Sequence, residues 1–402
     1  MGKYICPFCS IEHTFSEVEF RCKNFDNCEG RRQDVPYAAY LRISERSAPV
    51  RSAVFPVKKP LAKPLRDLYM PTSETCPFCG RETNIRVCPS CHNELPEAVG
   101  ENKVRTIAVV GDRDAGKTHF LAVLIQRIKE ICRTQGWILR EYNDDVIKHY
   151  EENYYYRIYE DMRPHDLTAS GNVSGTSVVR TPLIYNLFMD KTRYTLVLYD
   201  SAGEDLQSEA VMDKVNQYIG KASGVIFLLD PTRIEKMSME IKEEALKGSS
   251  SIDRREKKEQ INTLGRIANR IRSENKISET TKIKIPIVVA MSKFDAVSEI
   301  FPKGIEALRE PSGYFDAGYV KKEEWYQVKE ETESILDNYG AKDITDFMEK
   351  NFKNYTYCTF SALGESPEII GSEKVLRHKP MPHRIEDPFL WILKECGILK
   401  EK

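Results

Sequence analysis

The chain has 402 residues, 30% of them charged, and its basic and acidic residues nearly cancel to a formal net charge of −1. This balance argues against a chain that binds nucleic acid or membranes through its overall charge. No apolar run reaches the roughly 20 residues of a membrane-spanning helix, and the cysteine-bearing N-terminus is unlike a signal peptide. The sequence therefore predicts a cytoplasmic protein of two or three domains without a membrane span.

Eight of the eleven cysteines lie before residue 92, which in an intracellular chain indicates metal ligation and not disulfides. Two thiolates of a Cys-x-x-Cys turn face one tetrahedral ion, and a second pair closes the shell. The spacing predicts two zinc-ribbon modules with one structural Zn²⁺ each. His13 competes as a ligand at the first site, and redox pairs or plain buried thiols remain alternatives. The predicted ligands are Cys6, Cys9, Cys22 and Cys28 in residues 1–35, and Cys76, Cys79, Cys88 and Cys91 in residues 76–100.

Residues 36–75, between the cysteine clusters, contain six prolines and predict an extended linker. From Arg42 to Arg66 this stretch carries seven basic residues against one acidic residue, Glu45. The simpler interpretation is a solvated tether. The alternative is an electrostatic contact with nucleic acid or an acidic partner.

Residues 101–402 begin with a β-branched strand, Val104 to Val110, and a helical pattern that starts after Thr118. The sequence between them fits G-x-x-x-x-G-K-[ST], the P-loop pattern. In such a loop backbone N–H groups surround the β-phosphate, the lysine reaches the β/γ oxygens and the threonine hydroxyl ligates Mg²⁺. The predicted nucleotide-binding residues here are Gly111, Asp114, Ala115, Gly116, Lys117, Thr118 and His119.

A second candidate group follows a predicted antiparallel hairpin, Pro182–Phe188 and Tyr194–Tyr199. At the end of its second strand, Asp200 is suited to hold Mg²⁺ through water, and the Gly203 N–H to contact a γ-phosphate. The Ser/Gly-rich stretch 167–177 predicts a loop that closes over that phosphate. Thr176 is its candidate Mg²⁺ ligand, with Ser177 and Thr181 as competitors.

The Tyr-rich segment 142–159 predicts a helical elaboration packed on the core, with a base-stacking platform as the alternative. Further strands are predicted at 224–230, 284–291 and 355–360, and an apolar helix at 387–393. Together these elements predict an α/β fold. It would be a doubly wound, mostly parallel sheet with one antiparallel strand and helical insertions, binding its ligand at the strands' carboxyl ends.

The base would be read at two such ends. Asp295 can accept both N1–H and N2–H of guanine, which adenine cannot offer. Lys293 would cover the base with its aliphatic stem, and the Ala362 N–H would meet the guanine O6. The segments concerned are Ser292, Lys293 and Asp295, and Ser361, Ala362 and Leu363.

This ordered set of motifs, across residues 103–395, resembles the TRAFAC-class, Ras-like P-loop GTPases. The zinc-ribbon front and the Asp-Pro-Phe-Leu-Trp ending are similar to the bacterial double-GTPase family of conflict and antiphage systems. The resemblance implies binding of GTP and GDP with Mg²⁺, and a protein effector or activator as partner.

Three positions depart from the Ras-like pattern. Ser292 replaces the Asn of the guanine motif, Glu204 stands where a water-orienting Gln is usual, and Arg113 occupies a P-loop glycine position where it would supply charge in cis. We therefore expect a switch with slow or partner-dependent GTP hydrolysis, in which Lys117, Glu204 and Arg113 act in catalysis. The alternatives are a non-hydrolysing GTP-dependent scaffold and a GTP-regulated zinc-ribbon protein that binds nucleic acid.

Overall fold

The computed structural model describes residues 2–58, 69–101, 103–165, 181–200, 217–241, 257–313, 319–371 and 373–401. These residues form a helix-flanked central sheet and a smaller unit that carries the eight clustered cysteines, here called the cysteine module (residues 2–58 and 69–101). Among the helices of these ranges, none combines the length and apolar character needed to cross a membrane.

The central sheet has seven strands, and their order across it is β2-β3-β4-β1-β5-β6-β7. Only β3 runs antiparallel to its neighbours, while β4, β1, β5, β6 and β7 are parallel. The prediction of a mostly parallel α/β sheet with one antiparallel strand is therefore confirmed. The strands are β1 (Val104–Gly111), β2 (Ile138–Glu141), β3 (Leu183–Met189), β4 (Thr192–Asp200), β5 (Gly224–Leu229), β6 (Ile287–Met291) and β7 (Tyr355–Thr359).

The central strands are continuous apolar runs because helices cover both faces of the sheet. Every residue of β5 and β6 is buried. The helix after β1 buries one apolar stripe, which includes Phe120, Leu124 and Ile128. It ends at Gly136, whose left-handed backbone (φ +69°) lets its N–H bond the Cys132 carbonyl.

The helices mostly lie where the sequence patterns place them. The Tyr-rich segment is helical and buries Tyr150, Tyr154 and Ile158, which confirms the predicted elaboration on the core. The C-terminal helix is buried over most of its length. The helices are Lys117–Gln135, Asp144–Tyr150, Glu151–Tyr155 (a π-helical turn), Tyr156–Tyr159, Gln217–Gly220, Glu235–Glu240, Lys257–Asn275, Phe294–Val297, Glu306–Arg309, Lys322–Asn338, Lys342–Asn351 and Asp387–Glu395, with a 3₁₀ turn at Pro231–Arg233 and a hairpin at Glu368–Ile370 and Glu373–Val375.

The cysteine module is built around one three-stranded antiparallel sheet. Its central strand, Glu19–Arg21, pairs with Val54–Pro56 on one side and with Ile85–Val87 on the other. Both predicted ribbons and the predicted linker thus contribute to one sheet. Its other elements are strands Lys3–Ile5, Glu12–Thr14, Arg32–Gln33, Val50–Arg51, Glu74–Thr75 and Glu82–Thr83, helix Val35–Tyr40, and 3₁₀ turns Phe15–Glu17 and Glu45–Ser47.

The prediction of an extended linker is therefore wrong for residues 36–58. They are not extended because helix Val35–Tyr40 and two short strands pack into the module. Arg51, one of the linker's basic residues, lies 3.7 Å from Asp34 and its guanidinium is 4.1 Å from the centre of the Tyr37 ring. Its charge is used within the module. Residues 59–68, with three more basic residues, lie outside the described part of the chain.

A buried ionic network joins the three parts of the module. Arg21, only 1% exposed, donates to Asp34 at 2.9 Å and to the His92 carbonyl at 2.9 Å. The His92 imidazole lies 2.6 Å from the same carboxyl group. Burial alone would lower the pKa of His92, but Asp34 and Glu19 raise it to about 9. The ring is therefore charged at neutral pH and satisfies the buried carboxylate.

Candidate functional site

The loop between β1 and helix Lys117–Gln135 has the backbone that the P-loop pattern requires. A side chain at Gly111 would place its Cβ 2.7 Å from the Leu228 carbonyl oxygen of β5, so only glycine fits there. Gly116 has φ +86° and precedes the helix. The loop therefore turns sharply and points the helix N-terminus at the carboxyl end of the sheet, where a phosphate is stabilised.

The Lys117 side chain folds back over this loop. Its ammonium donates to the Gly111 carbonyl at 2.8 Å and to the Asp112 carbonyl at 2.6 Å, and the residue is 5% exposed. These two bonds hold a compact positive charge at the loop. The predicted phosphate-binding cation therefore lies inside the loop.

The two predicted Mg²⁺ ligands are in direct contact. Strands β1 and β4 are parallel neighbours, so their carboxyl ends bring the Thr118 hydroxyl within 2.9 Å of Asp200 Oδ2. A hydroxyl beside a carboxylate suits Mg²⁺, which prefers hard oxygen ligands and keeps several waters. The predicted γ-phosphate contact Gly203, the predicted catalytic residue Glu204 and the third predicted Mg²⁺ ligand, Thr176, lie outside the described residues.

His119, directly after Thr118, belongs to a small histidine pair. Its Nε2 accepts from the His165 backbone N–H at 3.0 Å, and the two rings meet edge-on with centroids 5.4 Å apart. Desolvation, aided by His165, lowers the pKa of His119 to about 3, so the ring is neutral and free to accept. His165 is the last described residue before the segment that contains Thr176.

The predicted base-reading residues meet at the carboxyl ends of β6 and β7. Asp295 Oδ1 accepts from the Ser361 hydroxyl at 2.5 Å, and the Gly364 N–H donates to the same hydroxyl at 2.9 Å. Burial raises the pKa of Asp295, and the Ser361 hydrogen bond opposes the rise. The carboxylate is thus held in one orientation. Ala362 and Leu363 follow Ser361 and are partly exposed.

Ser292 is anchored to β5. Its backbone N–H and its hydroxyl both bond the Leu229 carbonyl, at 2.9 Å and 3.2 Å. The short hydroxyl thus takes an acceptor on the neighbouring strand. We expect the P-loop to gain little support from this position.

The comparison with protein families gives the same picture. A family model described as Double-GTPase 2 matches residues 105–334, more than half of the chain. The chain belongs to the Double-GTPase 2 family. A protein of Mycolicibacterium smegmatis, named as a candidate "ESX-1 scaffolding and assembly protein SaeC", is 30% identical over 159 residues, which cover 38% of this chain and 39% of that protein. The chain thus spans about two-fifths of this relative's length.

The sequence did not identify Asp230 and Thr263 as residues that support this double-GTPase site. Lys293, the lysine predicted to cover the base, donates to Asp230 Oδ2 at 2.7 Å. This bond fixes the position of its ammonium group. Burial opposes the ionised form, but Lys293 and Thr232 hold the pKa of Asp230 below its ordinary value. Asp112, in the P-loop itself, accepts from Thr263 at 2.6 Å. A carboxylate at the end of a buried strand was the available signal for Asp230, and nothing local marked Thr263.

The cysteines of the double-GTPase chain group differently from the prediction. The thiols of Cys6 and Cys9 cluster with those of Cys88 and Cys91, and the thiols of Cys22 and Cys28 cluster with those of Cys76 and Cys79. Each site thus takes one pair from either end of the module. The predicted grouping by sequence neighbours is wrong, because the module's central sheet brings the two ends side by side.

The eight thiols nevertheless fit two zinc ions. A tetrahedral shell with Zn–S bonds of about 2.3 Å separates its sulfurs by about 3.8 Å. The closest pairs across each site are Cys6–Cys91 and Cys9–Cys88 at 3.7 Å, and Cys22–Cys79 at 3.5 Å and Cys28–Cys76 at 3.8 Å. The His13 Nε2 atom lies 3.4 Å from Cys88 Sγ, beside a complete set of four thiols.

Proposed function

We propose that this protein is a guanine-nucleotide-binding switch that takes GTP or GDP with Mg²⁺. The Asp295–Ser361 hydrogen bond carries the proposal, because it fixes a carboxylate at the base end of the sheet. That carboxylate can accept both guanine N–H groups, and adenine would leave it unpaired at a cost of about 1–3 kcal/mol. Membership in a double-GTPase family supports the same choice.

Residues at the phosphate end complete the proposed site. Lys117 and the loop N–H groups would bind the β- and γ-phosphates, and Thr118 and Asp200 would hold Mg²⁺. The metal would neutralise charge on the phosphate oxygens. Arg113 is exposed on the loop, where its guanidinium would add charge in cis. Glu204 can accept a hydrogen bond from water but cannot donate to the γ-phosphate, so we propose slow or partner-dependent hydrolysis.

A scaffold that binds GTP without turnover is the second candidate. The partial relative from Mycolicibacterium smegmatis is named for scaffolding and assembly, which favours protein partners over a small-molecule substrate. Single-turnover hydrolysis separates the two candidates, since a scaffold of this kind would retain GTP unchanged. A role in conflict or antiphage systems, a cytoplasmic location and the wider TRAFAC relationship remain predictions of the sequence.

The third candidate, nucleic-acid binding through the basic stretch, is supported by fewer observations than the other two. Arg51 already contacts Asp34 and Tyr37 within the cysteine module. Salt-dependent binding of DNA or RNA by the full chain would revive this candidate.

Replacing Asp295 by Asn tests the base assignment. The amide swaps one acceptor oxygen for a donor, so we expect GTP affinity to fall by roughly 10–100-fold and xanthosine triphosphate, which has a carbonyl at C2, to bind better than in the wild type. Fluorescence competition with the three triphosphates measures both changes.

The matched control is Ser361→Ala, which removes the bond that orients Asp295 and leaves the carboxylate itself intact. It should weaken GTP without admitting xanthosine triphosphate. An Asp295→Asn protein that keeps its preference for GTP would show that another group reads the base.

The proposed switch residue, Thr176, can be tested although it lies outside the described residues. If its hydroxyl completes the Mg²⁺ shell only with a γ-phosphate present, Thr176→Ala should weaken a GTP analogue by about tenfold and leave GDP affinity nearly unchanged. Thr181→Ala removes the hydroxyl of a competing candidate, and if Thr176 is the ligand this variant should change neither affinity. Equal losses for both nucleotides would place the switch elsewhere.

A further inference from the structure

The first Cys-Pro-Phe-Cys turn of the cysteine module lies against the end of β4. Tyr199, the residue before Asp200, is 3% exposed. Its hydroxyl donates to the Pro7 carbonyl and lies 3.2 Å from the Phe8 carbonyl. Pro7 and Phe8 separate the ligand cysteines Cys6 and Cys9. The turn that presents two thiolates therefore also holds the strand end that presents the proposed Mg²⁺ ligand.

Tyr199 also contacts helix Gln217–Gly220. Its ring stacks on that of Tyr218, with centroids 4.1 Å apart and planes 8° from parallel. Tyr218 lies in helix Gln217–Gly220, which directly follows residues 201–216. The stacked pair thus joins the end of β4 to this helix.

The second Cys-Pro-Phe-Cys turn, Cys76 to Cys79, has the same sequence and a different environment. Its Phe78 is 44% exposed. Among the described residues, no hydrogen bond joins this turn to the central sheet or to the helices that cover it. Two cysteine clusters of matched chemistry are thus present among the described residues, and of their two Cys-Pro-Phe-Cys turns the one with Cys6 and Cys9 is hydrogen-bonded to the strand that ends at Asp200.

We propose that Tyr199 is a positioning residue that couples the Cys6/Cys9/Cys88/Cys91 metal site to the nucleotide site. GTP would hold Asp200 through Mg²⁺ and so stabilise the end of β4. Because Tyr199 contacts the Pro7 and Phe8 carbonyls, a more rigid β4 end would also stabilise the Cys6–Cys9 turn. Coupling between binding sites is reciprocal, so a filled metal site equally favours the GTP-bound arrangement. The inference rests on the proposed function and adds a regulatory input to it.

Thiol alkylation in the presence of a zinc-selective chelator and excess Mg²⁺ tests the coupling in the full-length, zinc-loaded protein. Mass spectrometry of the cysteine peptides reads both metal sites in the same sample, at saturating non-hydrolysable GTP analogue or GDP. We expect the analogue to slow alkylation of Cys6 and Cys9 by about fivefold or more relative to GDP. Alkylation of Cys76 and Cys79 should be the same with either nucleotide.

Tyr199→Phe removes the hydroxyl and keeps the stacked ring, so the protection of Cys6 and Cys9 by the analogue should disappear. The control is Tyr185→Phe in the neighbouring strand β3. This tyrosine is equally buried, but its hydroxyl has no hydrogen-bond partner among the described residues, so the variant should behave as wild type.

Each outcome decides one claim. Equal protection of both sites, no selective protection in the wild type, or protection that survives Tyr199→Phe would overturn the coupling. The comparison of GTP analogue with GDP uses the wild-type protein, so it still tests the coupling if the Tyr199→Phe variant misfolds. Fluorescent-nucleotide binding is measured on the same samples. If the protein binds no guanine nucleotide, the proposed function is contradicted as well. If it binds guanine nucleotide but shows no selective protection of Cys6 and Cys9, only the coupling is contradicted.

Discussion

Lys117→Ala should lower the affinity for GTP by about 10²–10⁴-fold, since it removes a charge that can make two charge-assisted hydrogen bonds to phosphate, each worth about 1.5–3 kcal/mol. The same side chain bonds the Gly111 and Asp112 carbonyls, so its removal also takes two hydrogen bonds from the loop. Equilibrium titration with a fluorescent GTP analogue measures the loss.

The control for this variant is Lys129→Ala on the same helix. Lys129 pairs with Glu141 at 2.7 Å, and its loss should leave nucleotide affinity unchanged. Both variants should retain two zinc ions per chain, because the cysteine module lies outside the loop. Undiminished GTP binding by Lys117→Ala would contradict the phosphate-binding assignment.

The second large effect concerns the metal sites. Cys91→Ser should reduce the zinc content from two ions to one per chain, and the ion lost should be the one held with Cys6 and Cys9. Apparent binding free energies of structural zinc are about 10–16 kcal/mol, so the loss of one site should also lower the module's thermal stability markedly. Elemental analysis and thermal melts read the two effects.

Alkylation then distinguishes the two possible groupings of cysteines. The observed clusters predict that Cys91→Ser exposes Cys6 and Cys9 and leaves Cys76 and Cys79 protected, whereas grouping by sequence neighbours predicts the reverse. Cys28→Ser is the reciprocal control and should expose Cys76 and Cys79. If either variant unfolds the whole module, limited oxidation of the zinc-loaded wild type should link Cys6 to Cys91, whose sulfurs are 3.7 Å apart.

The sheet and its loops were predictable because their signals are local. The buried strands β5 and β6 are apolar runs, and the predicted contacts follow at strand ends, so parallel pairing brings Thr118 to Asp200 and Asp295 to Ser361. Residues 82 and 66 positions apart meet here without any long-range signal in the sequence. They meet because the carboxyl ends of neighbouring parallel strands lie at the same edge of the sheet.

The cysteine grouping could not be read in the same way. A Cys-x-x-Cys turn specifies that two thiolates share an ion but not which second pair completes the shell. That choice is made by strand Glu19–Arg21, which pairs with Ile85–Val87 and aligns the two ends of the module. The buried Arg21–Asp34–His92 network, which also spans the module, had no periodic pattern to reveal it.

Contacts between the two parts of the chain were equally hidden. Tyr199 reaches Pro7 across 192 residues, and its position in an apolar strand predicted only a core side chain. Within the central-sheet part, Asp112 contacts Thr263, which lies 151 residues away in helix Lys257–Asn275. Such pairs depend on how elements pack, which local composition does not encode.

Competition between GTP and ATP for the wild-type, zinc-loaded protein in Mg²⁺ tests the central claim most directly. The fixed carboxylate of Asp295 predicts that GTP binds roughly 10–100-fold more tightly than ATP, because a site built to pair with N–H groups rejects a base that lacks them. GDP should compete with GTP, and GMP far less, since the loop is built around the β-phosphate. Equal affinity for ATP and GTP would contradict the account.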